Sequence, residues 1–482
     1  MKRREFLKTT TGAVAAHSLT PMWAKASTSH PNLLFITVDD MNWDMPGFMG
    51  NTLGLTPHLD QLASRSHRFM HNRTTAPICQ PSREAMMTGR VPHRSGALGF
   101  DPIHEGIPTL VMELRKAGYF TGSIHKQEHM QPPSCFPWDY SLEGKGRAPS
   151  EYGNAVTHAI AAARTKKQPF FINCNINDPH RPFYGSRGAA AVDHNETGEY
   201  HVAREVTAND ITVPVNLEPL PAVREEYAQY CNSAQRMDKS IGAVLAALAA
   251  APESEHTIIF FSADHGMPFP FAKATVYNNG TRTPALLHYP HMSTPKAFEE
   301  RTCNIDYMPT LLDLLGVPQP AGMDGKSWAP LLHGGKYDGP NLLVTHVNTV
   351  HSLAAYPMRA IQDDRYSLVF TPWSDGKLLF SIESMTGLTY PAMHAAAKTD
   401  PAIAARVQQL RLGIPLAFYD LKEDPGQRKN LIDAAAHKNR IAHMKKALLQ
   451  YIKETGDPQL DNFQRLLAGK PMHVEQVKRA NG

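Results

Sequence analysis

The sequence predicts an α/β protein, with a large, mainly parallel sheet first and a smaller C-terminal α+β subdomain after it. Three observations carry that reading. Apolar runs at 32–38, 119–124, 170–176 and 257–261 are continuous rather than alternating, as strands covered on both faces must be. Stretches of helical periodicity lie between them, the pattern of strand–helix–strand units. Each run also passes directly into charged or metal-ligating residues, and open parallel sheets bind ligands along the edge formed by their strands' carboxyl ends.

Size and charge narrow the class. A chain of 482 residues, 42% hydrophobic and 20% charged, can bury a large core and fold as two or three domains. Residues 1–26 carry Lys2, Arg3, Arg4, Lys8 and Lys25 against Glu5, and the remainder holds 44 basic and 44 acidic side chains. That balance argues against a nucleic-acid partner or an anionic membrane surface. The segment Lys2-Arg3-Arg4-Glu5-Phe6-Leu7-Lys8, a weakly apolar stretch and Ala24-Lys25-Ala26 read as a twin-arginine-type signal peptide over 1–26, hence a periplasmic or secreted protein. No other run is long enough to span a bilayer. Five irregularly spaced cysteines (Cys79, Cys135, Cys174, Cys231, Cys303) form neither a disulfide scaffold nor a zinc cluster.

Taken in order, run 32–38 ends in Asp39-Asp40, a pair that needs a cation if both carboxylates point inward. Thr56-Pro57 then opens a helix with Leu59, Leu62, Ala63, Phe69 and Met70 on one face. Next comes Pro77-Ile78-Cys79-Gln80-Pro81-Ser82-Arg83-Glu84-Ala85-Met86-Met87-Thr88-Gly89-Arg90. Pro81 suits a first helical turn and Gly89 a stop. Cys79 therefore faces unpaired N–H groups at the positive end of a helix, with Arg83 four residues on, an arrangement suited to an anion.

A helix at 110–117 is closed by Gly118, and strand 119–124 leads to His125-Lys126-Gln127-Glu128-His129. Strand 170–176 leads to Asn177-Asp178-Pro179-His180-Arg181-Pro182. A long amphipathic helix aligns Tyr227, Tyr230, Ala234, Met237, Ile241, Val244, Leu245 and Leu248. Strand 257–261 then ends in Ser262-Ala263-Asp264-His265-Gly266. Any one such cluster is ordinarily a solvated turn; four in strand–helix alternation favour one shared pocket. Past about 335, shorter strands at 342–344, 358–361 and 366–370 have hairpin spacing, 391–411 is helical, and Ile441, Met444, Leu448, Tyr451 and Ile452 mark a terminal helix. The expected domains are 27–335 and 336–482.

Cys79-Gln80-Pro81-Ser82-Arg83, with Thr88-Gly89-Arg90, resembles the sulfatase signature Cys-x-Pro-Ser-Arg. The likeness extends over nearly the whole chain after residue 26: Asp39-Asp40, Lys126 with His129, Asp178 to Pro182, Ser262 to Gly266, Lys273, Gly280 to Pro284, and Phe418 to Leu421 with Asp424-Pro425 and Asn430-Leu431. Met267-Pro268-Phe269-Pro270 and Tyr356-Pro357-Met358-Arg359 resemble the N-sulfoglucosamine sulfohydrolase (heparan N-sulfatase) branch. The resemblance implies an alkaline-phosphatase-like sandwich and a hydrolase that removes sulfate from a sulfated saccharide, with N-sulfo- or O-sulfo-glucosamine as the substrate.

It further implies that a maturation enzyme oxidises Cys79 to formylglycine, and that Asp39, Asp40, Cys79, Asp264 and His265 hold a divalent cation. Calcium is the expected ion, with magnesium or manganese as alternatives, since His265 stands where sulfatases often have asparagine. Arg83 and Lys126 would neutralise sulfuryl oxygens, His129 would act as base, and Lys273 or His180 would protonate the leaving atom. Asp178, Arg181, Arg282, His351 and Arg359 are the candidate substrate-binding residues. His346 to Leu353 departs from the branch, which tends to carry a His-Glu pair there. A phosphonate or phosphate monoester hydrolase of the same fold, or a non-catalytic binder of sulfated glycans, are the alternative readings.

Overall fold

The computed structural model describes residues 30–186, 198–290, 292 and 294–474. The signal peptide expected at 1–26 lies outside the described residues. Eight strands form the main sheet: β1 (Asn32–Val38), β2 (His67–Arg73), β3 (Phe120–Ile124), β4 (Tyr140–Leu142), β5 (Phe170–Ile176), β6 (Thr257–Ala263), β7 (Ala285–His288) and β8 (Ala297–Cys303). Their order is β4-β3-β5-β1-β6-β7-β2-β8, and only β7 runs antiparallel to its neighbours. The four strands legible as apolar runs are the central block β3-β5-β1-β6.

Their continuous hydrophobicity has a direct cause. Leu34, Ile36 and Val38 of β1 pack into a core with helices Pro149–Lys166 and Pro221–Ala249, whereas Leu33 and Phe35 pack against Leu110, Leu114, Leu311 and Leu312 on the other face. Helices therefore cover both faces, and successive side chains of one strand enter two separate cores.

A second, antiparallel sheet is ordered β12-β11-β10-β9, from β9 (Leu343–Thr349), β10 (Ala355–Gln362), β11 (Tyr366–Phe370) and β12 (Leu416–Asp420). One face joins Val347, Met358 and Val369 to Ile78, Phe271 and Val276 beside the helix that begins at Cys79. The other packs Val344, Ile361, Leu368 and Phe370 on Ile441, Met444, Leu448 and Ile452 of helix Lys438–Thr455. The C-terminal sheet is thus fastened to the wall of the main sheet's active edge.

Two expectations are corrected, and one helix was not anticipated. The helix opened at Thr56-Pro57 stops at Ser64, and Phe69 and Met70 belong to β2. The helical segment 391–411 is two helices, Thr389–Ala396 and Pro401–Leu412, the second capped by the Asp400 side chain. The sequence reading also passed over helix Pro149–Lys166, although its buried Tyr152, Ala155, Val156, Ala159, Ile160 and Ala163 follow helical spacing. All five cysteines are buried and free. Among the described residues no helix is long and apolar enough to cross a membrane.

Candidate active site

Strand register builds the site. Val38 is level with both Ile176 and Ala263 in the parallel ladder, so the next residues, Asp39 and Asp264, emerge side by side. The ladder continues one step further: Asp39 N–H donates to the Ile176 carbonyl and Asp264 N–H to the Val38 carbonyl, both at 3.1 Å. Asp40 then turns with φ 68° and donates its N–H to Asp264 Oδ1 at 3.2 Å. His125 and Lys126 also have positive φ, 57° and 60°. Left-handed conformations in non-glycine residues cost energy and persist only where the surroundings impose them. Here they turn Asp40 and Lys126 back over the sheet edge.

The Cys79 stretch folds as helix Cys79–Thr88, every residue buried, and ends at Gly89, whose φ of 64° is easily reached without a side chain. Ser82 fixes it to β6 by donating Oγ–H to the Asp264 carbonyl at 2.5 Å. Arg83 crosses beneath the strand tips. Its Nη1 donates to Thr37 Oγ1 at 3.0 Å and Asn175 Oδ1 at 2.7 Å, and its Nη2 lies 3.0 Å from Asp264 Oδ2 and 3.6 Å from Asp39 Oδ2. Cys79 Sγ sits 3.4 Å from Asp39 Oδ1 and 3.2 Å from His265 Nε2.

Lys126 pairs with Asp39 Oδ2, and Lys273 Nζ lies 2.8 Å from Asp40 Oδ1. On its outer side Lys273 meets Glu383 at 3.3 Å, while His180 Nε2 lies 3.8 Å from Asp40 and 3.7 Å from Glu383. Cys79, Lys126, His180, Lys273 and Glu383 line a cavity of about 1030 Å³, with Phe100, Glu128, His129, Lys145, Tyr200, His351 and Ser384 around it and Asp39 and Asp40 buried behind the lysines.

Burial and neighbours set the protonation states. Burial alone would raise the Asp39 carboxyl, but Lys126, His180 and Arg83 outweigh it and hold it well below the usual carboxylate range. Burial, aided by Asp39 and Glu383, pushes Asp40 well above that range despite Lys273. Burial and then Asp39 push the Cys79 thiol up, so this ring of carboxylates does not favour a thiolate. Burial and the Lys126 charge leave His129 a neutral imidazole. His180 falls to about 3, through burial and then Lys273. Burial opposes the Lys273 ammonium, but Asp40 outweighs it and keeps the proton on Lys273. Of the two candidate acids, Lys273 is the one that carries a charged proton.

The site suits a cation. Single donor atoms of Asp39, Cys79, Asp264 and His265, all buried, lie within 4.8 Å of one another. Asp39 Oδ2, Asp40 Oδ1 and Asp264 Oδ2 are buried and lie against the cationic groups of Lys126, Lys273 and Arg83 without hydrogen-bond geometry, so three carboxylates converge here in ion pairs that a metal would share. His265 Nδ1 lies 3.0 Å from the Gly266 carbonyl; an N–H donated there leaves Nε2 as a free donor atom toward Cys79. Asp40 groups instead with Asp39 and His180, so it flanks the four-atom set.

Not every sequence candidate is at the cavity. Arg181 and His351 line it, although Arg181 is pinned by Glu226 at 2.5 Å. Asp178 is corrected: it is buried between Arg147 and Arg236 and holds the loop after β5 in place. Arg282 is corrected as well, since its guanidinium lies 3.6 Å over the Trp43 ring and donates to the Met70 carbonyl. Arg359 is fully buried against Asp457 and cannot reach a substrate. His346, in the segment that departs from the branch, bonds Thr75 and the Tyr451 hydroxyl rather than facing the cavity. Sequence reasoning missed Phe100, Lys145 and Glu383. Asn175 had a legible signal, being with Asn173 one of two asparagines in an otherwise apolar strand.

Comparison with known proteins accords with this geometry. The sulfatase family description matches residues 31–134 and 138–317, more than half of the chain. The chain belongs to the sulfatase family and is therefore a sulfuric ester hydrolase. Residues 264–380 further match the C-terminal region of N-sulphoglucosamine sulphohydrolases. The N-sulphoglucosamine sulphohydrolase of Homo sapiens is 28% identical over 70% of this chain and 72% of its own. An ulvan-active sulfatase of Formosa agariphila is 24% identical over 89% of this chain and 75% of its own. Solved structures share the fold. One, in complex with its substrate D-glucosamine-2-N,6-O-disulfate, has TM-score 0.66 at 18% identity, covering 90% of this chain and 99% of that one. A phosphonate monoester hydrolase from Silicibacter pomeroyi has TM-score 0.63 at 19% identity, covering 89% and 96%.

Proposed function

We propose that this chain is an exported sulfatase that removes sulfate from a sulfated saccharide, with N-sulfo- or O-sulfo-glucosamine as the preferred unit. One observation carries the reading: Cys79 begins a buried helix at the cavity floor, 3.4 Å from Asp39 and 3.2 Å from His265. Residues 27–335 would be the catalytic domain and 336–482 a subdomain that completes the cavity wall. Residues 1–26 would direct export, and a maturation enzyme would oxidise Cys79 to formylglycine.

Asp39, Asp264 and His265, flanked by Asp40, would hold a divalent cation, with calcium preferred. When bound, the cation supplies Lewis acidity toward a sulfate oxygen, and the formylglycine hydrate supplies a hydroxyl nucleophile. The chain's own groups do the rest. Arg83 and Lys126 offset negative charge gathering on the sulfuryl oxygens. Neutral His129 accepts a proton at a ring nitrogen, its Nδ1 having no hydrogen-bond partner among the described residues. Lys273 delivers a proton to the departing sugar oxygen or nitrogen.

The test has two readouts. Mass spectrometry of the peptide containing residue 79 should show it roughly 18 Da lighter than cysteine. Sulfate release is then followed on defined sulfated mono- and disaccharides, with aryl sulfate and aryl phosphonate side by side. A strong phosphonate preference would transfer the protein to the phosphonate hydrolases. An unshifted peptide from the native host with no turnover would favour a glycan-binding role.

A further inference from the structure

We infer that Glu383 determines specificity on the leaving-group side: it selects a hydrogen-bond donor, hydroxyl or ammonium, next to the scissile bond and rejects a second anionic group there. The inference rests on the functional reading above and deepens it. Glu383 comes from the C-terminal part, where no sequence motif announced it. Its side chain is about one-third exposed, and the exposed part faces the cavity.

Geometry fixes which side of the substrate it meets. Lys273 lies between two carboxylates, 2.8 Å from Asp40 buried behind it and 3.3 Å from Glu383 further out. His180 spans the same two groups at 3.8 and 3.7 Å. A leaving atom that takes its proton from Lys273 must lie within hydrogen-bond reach of Nζ. The substituent on the neighbouring carbon is then the part of the sugar nearest Glu383.

The Lys273 ammonium offsets the cost of burial and keeps Glu383 ionised. An ionised carboxylate accepts from O–H and N–H and offers no donor to sulfate or carboxylate. Three other cations of the wall are already held, Lys126 by Asp39, Arg147 by Asp178 and Arg181 by Glu226, which leaves Lys145 as the wall's cation outside these pairs. Rejection by juxtaposed like charge is a common route to specificity.

The experiment compares kcat/KM of the matured wild type and Glu383→Gln on two saccharides. One is a singly sulfated sugar that the wild type turns over; the other carries a second sulfate on the adjacent carbon. Wild type should favour the singly sulfated sugar by at least about tenfold, and Glu383→Gln should bring the ratio to within about threefold of unity. Loss of Lys273's partner slows both substrates alike and cancels in the ratio, so a merely supporting role leaves it unmoved. A ratio unchanged in Glu383→Gln, or a wild type that prefers the doubly sulfated sugar, overturns this inference alone. A wild type that releases sulfate from no saccharide overturns the functional reading and this inference with it.

Discussion

Two of the buried charge clusters in this molecule, one at the sheet edge and one at Asp457, have different surroundings. At the sheet edge, Asp39, Asp40 and Asp264 face Arg83, Lys126 and Lys273, yet one oxygen of each carboxylate takes no hydrogen bond. Between β10 and the turn that follows helix Lys438–Thr455, Asp457 receives Arg359 Nε at 2.6 Å and Nη2 at 2.8 Å, and Arg359 Nη1 donates to the Val347 and Met358 carbonyls. The second set is saturated and closed, and it clamps the C-terminal sheet to its helix. The first gathers three carboxylates and three cations beside a cavity, in ion pairs that lack hydrogen-bond geometry. Burial and charge alone do not mark a functional site; several carboxylates and cations converging beside open space do.

The comparison can be broken by mutation, beginning with the largest effect. Cys79→Ala should abolish turnover, by a factor on the order of 10⁴ or more, while the denaturant midpoint moves little. A residual rate near wild type would show that residue 79 is not the reacting group. Asp457→Asn should do the reverse, costing about 3–5 kcal/mol of stability because Arg359 is left buried and unpaired. Urea titration measures the loss, and kcat of the protein that remains folded should hold.

Removing metal sharpens the contrast. Dialysis against a chelator should lower both turnover and Tm, and restored cation at about 100 times Kd should return roughly 2.7 kcal/mol. Asp457→Asn should show the same increment, since neither Asp457 nor Arg359 belongs to the group Asp39, Cys79, Asp264 and His265. A chelator without effect would remove the cation from the account.

The Asp457 pair also has a pH signature. Burial opposes the carboxylate, but Arg359 outweighs it and holds Asp457 well below its unfolded value of about 3.9. A depressed folded pKa means stability that is present above about pH 3.9 and lost as pH falls toward the folded value. The stability gap between wild type and Asp457→Asn should therefore be full at pH 7 and narrower at pH 3. A constant gap would mean that the pair's charge is not what holds it. The smallest effect is expected of Arg282→Ala, about 1 kcal/mol from the lost Trp43 stack, with kcat unchanged.

Much of this was legible in one dimension. The central strands announced themselves because helices cover both faces of β1, β3, β5 and β6, which demands unbroken apolar runs. The strands β2 and β8 were not read: His67–Arg73 and Ala297–Cys303 lie toward the sheet's edge and carry polar residues on their exposed side. Helix Pro149–Lys166 shows that a readable stripe can be passed over when small alanines compose it. Among site residues, those on strand tips and in the Cys79 motif came together, while Asp178, Arg282 and Arg359 bind partners that no local pattern reveals.

The sequence by itself determined the fold class, the Cys79 motif and the acidic residues at the strand tips, because those depend on local periodicity and on short motifs. Which arginines face the cavity and which are locked inside, and the arrival of Glu383 beside Lys273, were settled only in three dimensions. Residues 110 positions apart in the chain meet there through the docking of the C-terminal segment against the sheet edge, and a long-range contact of that kind leaves no periodic trace in the sequence.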